Sequence, residues 1–284
     1  MLKKRVVVSG ASGFVGRNIG SFLSANGFEV IALVRKKKAS FGRSVLTEDL
    51  TEKNICRHAR GAAALLHFIG TGRQTVRSDF ESVNVGLTAN AVELCKNSGI
   101  RKIIYFSGLG VERDSTTGYF ISKFKAEQEI VKSGLDYTIF RPSYIMGKDD
   151  PLSRTLSAQA RKGRVVIPGS GRYRMQPIFV YDAAKVVMRA IYGRKFSRKV
   201  LDLVGPETVT FNRLVGDLVG RSRVRHVDFE EAYHQAISLK DPPYGVDDLG
   251  ILVGDYLGDH RKLARISGVA FTRYADMLES CRLS

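Results

Sequence analysis

Residues 6–18 read VVVSGASGFVGRN: three valines, a turn holding Gly10, Ser12 and Gly13, then Phe14, Val15 and Gly16 at the head of an amphipathic run. A short β-branched run ending in Ser-Gly is a buried strand, and the apolar spacing after it is helical. Glycines in the turn let the main chain reverse tightly and let another group approach the backbone closely. Such a strand–turn–helix unit aims unpaired N–H groups and the positive end of a helix dipole at one point, which suits a pyrophosphate. A tight turn that only packs a helix on a sheet would use the same residues, and the chain has 28 glycines, so the triplet by itself is weak. The strand before it and the helix after it favour dinucleotide binding.

The same rhythm continues outward. Apolar runs at 29–34 (EVIALV), 64–70 (ALLHFIG), 102–108 (KIIYFSG) and 136–143 (DYTIFRPS) alternate with helical patterns at 14–27, 80–99 and 120–134. Strands alternating with helices imply βαβ units and a parallel sheet covered on both faces. The expected class is α/β, a Rossmann-type doubly wound sheet with ligands at the carboxyl ends of its strands. Residues 1–148 are read as the nucleotide-binding domain. Residues 149–284 are read as a smaller, interleaved lobe, with the segment near 176–205 returning to the main sheet.

Composition bounds the rest. The 284 residues are 44% apolar, enough for a sizeable core. Cys56, Cys95 and Cys281 are scattered, so neither a disulfide framework nor a metal site is expected. No apolar run approaches the roughly 18 residues of a spanning helix, and the opening MLKKRVVVSG reads as a first strand without a cleavage site. The expected location is cytoplasmic, with peripheral attachment to the inner face of a membrane as a variant. The net charge of +17 is extreme. It fits either a solvated basic surface or an anionic partner: an acidic protein subunit, a membrane surface or nucleic acid. The basic clusters, RKKK at 35–38 and RSRVR at 221–225 among them, are dispersed and carry no nucleic-acid-binding signature, which disfavours that partner.

The second strand ends at Arg35 and Lys36, where a carboxylate usually meets a free ribose 2′-hydroxyl. A guanidinium suits a 2′-phosphate instead, so NADP(H) is expected over NAD(H); the alternative is that Arg35 is only an exposed strand-end charge. The glycine spacing GxxGxxG resembles the short-chain dehydrogenase/reductase superfamily, especially its extended and atypical branches. Further stretches resemble it too: HFIGTG, VNVGLTANAVELCKNSGIRKIIYFSG, FRPSYIMG, PIFVYDAAKVV and LVGPETVTF. Within the superfamily the likeness is greatest to the group around the accessory NADPH-binding subunit of respiratory complex I, with NmrA-like proteins close behind. It covers most of residues 5–215, and the tail beyond about 225 carries no motif. The resemblance implies that Asp49 and Leu50 flank the adenine, that Phe68, Ile69 and Gly70 pass the cofactor, and that Pro142 and Ile145 lie near it.

The superfamily's Tyr-x-x-x-Lys pair occurs here three times, as Tyr119/Lys123, Tyr144/Lys148 and Tyr181/Lys185. Only the first lies on a strongly patterned helix between two sheet strands. The resemblance implies that Tyr119 is the acid/base, that Lys123 tunes it and binds the nicotinamide ribose, and that Ser107 polarises the substrate oxygen. The pattern departs from the family after Ser107. Gly108 and Leu109 occupy the places where a hydroxyl is usual, leaving Ser115, Thr116 or Thr117 as substitutes. The leading expectation is an oxidoreductase that moves hydride between NADPH and a small carbonyl or quinone-like substrate. The alternatives are a non-catalytic NADPH-binding or redox-sensing subunit docked by its basic surface on a respiratory-type complex, and a nucleic-acid-associated member of the superfamily.

Overall fold

The computed structural model describes residues 4–36, 39–220 and 224–281; Lys37, Lys38 and residues 221–223 of the two basic clusters lie outside the described residues. The first half runs β1 (Arg5–Ser9), α1 (Phe14–Ala25), β2 (Glu29–Val34), β3 (Arg43–Leu46), α2 (Lys53–Ala59), β4 (Ala64–His67), α3 (Leu87–Ser98), β5 (Lys102–Phe106), α4 (Gly118–Lys132) and β6 (Asp136–Pro142). There follow β7 (Tyr144–Met146), α5 (Pro151–Arg161), β8 (Val165–Pro168), β9 (Arg174–Met175), β10 (Pro177–Phe179), α6 (Val180–Tyr192) and β11 (Lys199–Leu203). The chain closes with β12 (Val209–Thr210), α7 (Phe211–Val219), β13 (Val224–Val227), α8 (Phe229–Ser238), α9 (Val246–Leu252), α10 (His260–Ser267) and α11 (Tyr274–Cys281).

Seven strands form one parallel sheet in the order β11-β6-β5-β4-β1-β2-β3. This is the Rossmann-type architecture expected from the alternation. Side chains two apart share a face, so Val6 and Val8 join Ile19 and Leu23 of α1 and Val187 of α6 in one core. Val7 turns the other way, towards Ile55 of α2, Leu94 of α3 and Ile130 of α4. Two helical layers therefore cover a sheet whose order reverses between β1 and β4, which opens a crevice at their carboxyl ends.

Three two-stranded sheets, β7–β10, β9–β12 and β8–β13, build a smaller lobe around Met146, Leu156, Phe211 and Tyr274. Asp150 caps α5 by accepting from Ser153 N, with Pro151 at the first helical position. The buried Asp182 accepts from Thr272 N at 2.6 Å and pairs with Lys185, so the V-x-D-x-A stretch anchors the C-terminal segment to α6.

The segment 80–99 departs from a simple helix. It begins with a π turn over Glu81–Gly86 before α3, and Gly99 ends it in the left-handed conformation. The wide turn carries the buried Asn84, whose amide accepts from Thr71 N at 2.8 Å and donates to Thr71 O and to Ser122 Oγ. It thereby ties α4 to the loop after β4.

A buried ion pair fixes α4 on the sheet. Arg141 of β6 meets Glu127 in a two-pronged contact of 2.9 and 2.6 Å, with Glu127 only 2% exposed. Removing one partner strands a buried charge. Arg141→Ala should lower unfolding free energy by about 3–5 kcal/mol in a denaturant titration; a loss well below 1 kcal/mol would show that Glu127 does not keep its charge.

Candidate cofactor and active site

Gly10 occupies the left-handed region at φ +72°, and a Cβ there would sit 2.8 Å from the carbonyl carbon of Phe68. A Cβ on Gly16 would come within 2.2 Å of Gly10 O. These two glycines bring the turns after β1 and β4 together and seat α1 beneath them. Helix α1 starts at Phe14 with no side-chain cap and no acidic residue in its first turn, so its terminal N–H groups face the crevice unpaired by a side chain.

The crevice is a groove of about 330 Å3. Of the residues singled out from sequence, Gly10, Ser12, Gly13, Arg35, Leu50, Phe68, Ile69 and Gly70 line it. Phe14, Val15 and Gly16 form the first turn of α1, with Val15 packed into the core. Arg35 is exposed at the end of β2 and makes no hydrogen bond or ion pair among the described residues; Lys36 beside it is exposed and outside the groove lining.

Two expectations are corrected. Asp49 does not line the groove. Its carboxylate accepts from Thr51 Oγ1 at 2.7 Å and Thr51 N at 3.0 Å, contacts that hold its pKa below the usual value. This local Asx turn outcompetes the groove and turns Asp49 outward. Leu50, at φ +74°, turns inward instead, beside Thr47 and Glu48. Ile145 is partly buried against the core and pairs with Ile178 in the β7–β10 ladder; it is not among the residues lining either cavity. Pro142 borders the second cavity rather than the groove.

That second cavity, of about 160 Å3, lies against Tyr119. Tyr119 and Lys123 share one face of α4. The Lys123 ammonium is 4% exposed and donates to Tyr105 OH at 3.1 Å and Phe106 O at 3.2 Å. A Cβ on Gly70 would sit 2.8 Å from Nζ, so the groove-lining loop passes directly over the lysine. Burial lowers the lysine pKa to about 8, against the opposing pull of Glu127. Tyr119 is partly open to the cavity, but the surrounding protein pushes its phenol up to about 12, and the nearby Tyr256 phenol adds to the shift. Lys123 Nζ lies 6.0 Å from the Tyr119 ring centre.

Ser107 closes β5 with its Oγ buried and without a hydrogen-bond partner among the described residues. Thr117 Oγ1 is in the same condition, whereas Ser115 Oγ is occupied by Glu112 N and Thr116 is exposed. A Cβ on Gly108 would lie 3.1 Å from Tyr119 OH, so the glycine leaves that hydroxyl room. The other Tyr/Lys pairs are structural. Tyr144 OH donates to Asp150 at 2.6 Å, and Lys185 pairs with Asp182 while Tyr181 is exposed.

Sequence reasoning missed the polar scaffold behind the pair. His67 at the end of β4 is buried between Ser9 Oγ (2.7 Å) and Thr88 Oγ1 (3.1 Å). Thr88 donates its hydroxyl proton to Asn84 O, so it accepts from Nε2–H of His67, and Nδ1 accepts from Ser9. Burial, with the Lys123 charge nearby, lowers the His67 pKa to about 3 and keeps the ring neutral. Tyr105 stacks on that ring and receives Lys123. Asn84 stood in a recognisable stretch, but only the π turn shows where it points. Tyr256 comes from the motif-free tail, and no local signal marks it.

The residues present fit a dinucleotide. The glycine turns leave no room for a Cβ, the helix N-terminus is uncapped by any side chain, and a buried ammonium lies directly beneath the groove-lining Gly70. This fold and site define a dinucleotide-binding protein of Rossmann type. Residues 10–169 match the model of the family described as NAD(P)H-binding, and the chain belongs to that family. It is 27% identical over 221 residues to NADH dehydrogenase [ubiquinone] 1 alpha subcomplex subunit 9, mitochondrial, of Arabidopsis thaliana, covering 73% of this chain and 55% of that one. It is 30% identical over 185 residues to ceramide reductase of Caulobacter vibrioides, covering 63% and 58%. The chain thus spans little more than half the length of these curated relatives. The structure of MoeE5 in complex with UDP-glucuronic acid and NAD superposes with a TM-score of 0.77 at 19% identity, covering 98% of this chain and 97% of that one.

The buried lysine makes stability depend on pH. Unfolded, it holds its proton to about 10.5; folded, only to about 8. Between those values the unfolded chain binds more protons, so stability rises with pH and the neutral-pH penalty is relieved. The parent, freed of cofactor, should therefore gain on Lys123→Met by on the order of 3 kcal/mol from pH 8 to 10.5. A stability difference that does not change over that range would contradict a buried charge at Lys123.

Proposed function

We propose that the protein is an NADP(H)-dependent oxidoreductase acting on a carbonyl or quinone-like compound, with Tyr119 as its proton donor. The observation that carries this reading is the placement of one helical face. Lys123 lies under the groove-lining Gly70, while Tyr119, one turn away, borders a separate cavity large enough for a small substrate group. A nicotinamide cofactor held by the groove residues would supply or accept the hydride, and the chain would hold the reacting carbon beside Tyr119.

The chain's own groups handle the proton. A phenol with a pKa near 12 is protonated at neutral pH, so Tyr119 is set to give its proton to a carbonyl oxygen as that oxygen gains charge. The Lys123 ammonium stabilises the tyrosinate that remains. Ser107, whose hydroxyl has no partner among the described residues and which precedes the cavity-lining Gly108, is the proposed polariser of the same oxygen. The roles of Asn84, Tyr105 and His67 are positional, since they hold α4 and its lysine against the groove. Arg35, exposed and unpaired among the described residues at the groove's rim, suits a 2′-phosphate and supports NADP over NAD.

A second reading is an accessory subunit that holds NADPH without turning it over. It is favoured by Gly108, by the likeness to a complex I subunit, and by a net charge of +17 able to dock on an acidic partner. Under it, NADPH co-purifies and no substrate oxidises it.

Two measurements test the proposal. Tyr119→Phe should lose roughly 10^2–10^4 in kcat for carbonyl reduction with NADPH affinity kept. In the parent, reduction should be insensitive to pH around neutrality, whereas alcohol oxidation should climb with pH as tyrosinate appears; full turnover by Tyr119→Phe would contradict the assignment. Arg35→Asp should weaken NADP binding at least tenfold and spare NAD, as read by fluorescence titration. Equal NADP and NAD affinities in the parent would contradict the 2′-phosphate role.

A further inference from the structure

The walls of the Tyr119 cavity constrain what it holds. Leu109, Phe120, Pro142, Leu152, Met175 and Leu252 supply most of the lining. Its polar margin is largely committed elsewhere. Ser143 Oγ donates to Tyr256 O and accepts from Gln176 N, both at 3.1 Å, and Tyr144 OH donates to Asp150. Tyr119 and Tyr256 remain as phenols, and among the described residues no Lys, Arg, Asp or Glu side chain lines the cavity.

A neighbouring cavity of about 300 Å3 shares Leu152, Ile251 and Leu252 with the first as a common wall. It is lined further by the buried Tyr244 and, at its exposed margin, by an ion pair between Arg73 and Asp248. Helix α9 roofs this path, strapped to the loop after β4 by that pair and by Gln74 N donating to Asp247 at 2.8 Å. The cation at the outer end is already matched by its own carboxylate.

We infer that the substrate is an apolar carbonyl compound with an extended aliphatic chain, its carbonyl at Tyr119 and its chain lying between Leu152 and Ile251–Leu252 towards Tyr244. This rests on the reading of Tyr119 as proton donor given above. A nucleotide sugar would place two phosphates against leucine, methionine and proline without a free cation, which is strongly unfavourable. An aliphatic chain gains affinity with every methylene it buries, about three- to fourfold each.

The test uses protein saturated with NADP+, so that ketones bind without being reduced. Dissociation constants for 2-butanone, 2-hexanone, 2-octanone and 2-decanone are measured by calorimetry, with UDP-glucose alongside. Affinity should rise about threefold or more per added methylene, and UDP-glucose should neither bind nor compete at millimolar concentration. Ile251→Trp, which fills the wall shared by both cavities, should flatten the rise from 2-hexanone to 2-decanone. Affinity that is flat along the series, or UDP-glucose binding more tightly than 2-decanone, would overturn the inference. The two readings fail separately. A steep series in protein that never oxidises NADPH with any ketone upholds the ligand class and removes the proton-donor role. Reduction of short ketones without chain-length dependence does the reverse.

Discussion

Everything in the site hangs on the contact between two turns. Gly10, held at φ +72°, brings the turn after β1 against the backbone of Phe68 and Ile69 after β4, with no room for a single added carbon. That approach places the uncapped start of α1 and the Phe68–Gly70 loop on opposite sides of one crevice. The loop in turn lies over Lys123, so the turn after β1 and the buried lysine of α4 are linked through a short stretch of backbone. A side chain at Gly10 would therefore disturb both ends together.

The polar interior beneath the crevice is organised to hold a charge in an apolar setting. Lys123 has hydrogen-bond partners in Tyr105 and Phe106 O, but the nearest carboxylate on its helix, Glu127, is already engaged by Arg141. His67 is kept neutral by burial, and Asn84 uses the extra width of a π turn to join three elements. Such a cluster contributes less to stability than an apolar one of equal size. Its consequence is a preorganised ammonium beneath the groove and, one turn away, a phenol at an apolar cavity, with the phenol's proton retained at neutral pH.

The parallel sheet was legible where local pattern and burial agree. β1, β2 and β5 hold unbroken apolar runs, β6 is stopped by Pro142, and α1 and α3 end at or near glycines. β3 was not legible, because in RSVL only Val45 is buried and no alternation shows. The π turn at 81–86 was missed because its apolar spacing reads as ordinary helix. Asp49 misled because an Asx turn with Thr51 satisfies its carboxylate locally, a competition invisible in a motif. The role of the tail was hidden for another reason. Ile251, Leu252 and Tyr256 reach the cavity only by long-range packing, with Tyr256 N bonded to Arg174 O more than eighty residues away in sequence.

If Tyr119 and Lys123 work on a substrate carbon beside a reduced nicotinamide, the hydride of that nicotinamide must appear in the product. The most direct measurement is isotopic: NADPH carrying deuterium at C4 of the nicotinamide, on the transferable face, is incubated with the protein and a methyl ketone, and the product alcohol is weighed by mass spectrometry. The account predicts an alcohol one mass unit heavier, with the label on the carbinol carbon. Recovery of unreacted ketone, or of alcohol without the label, would contradict it.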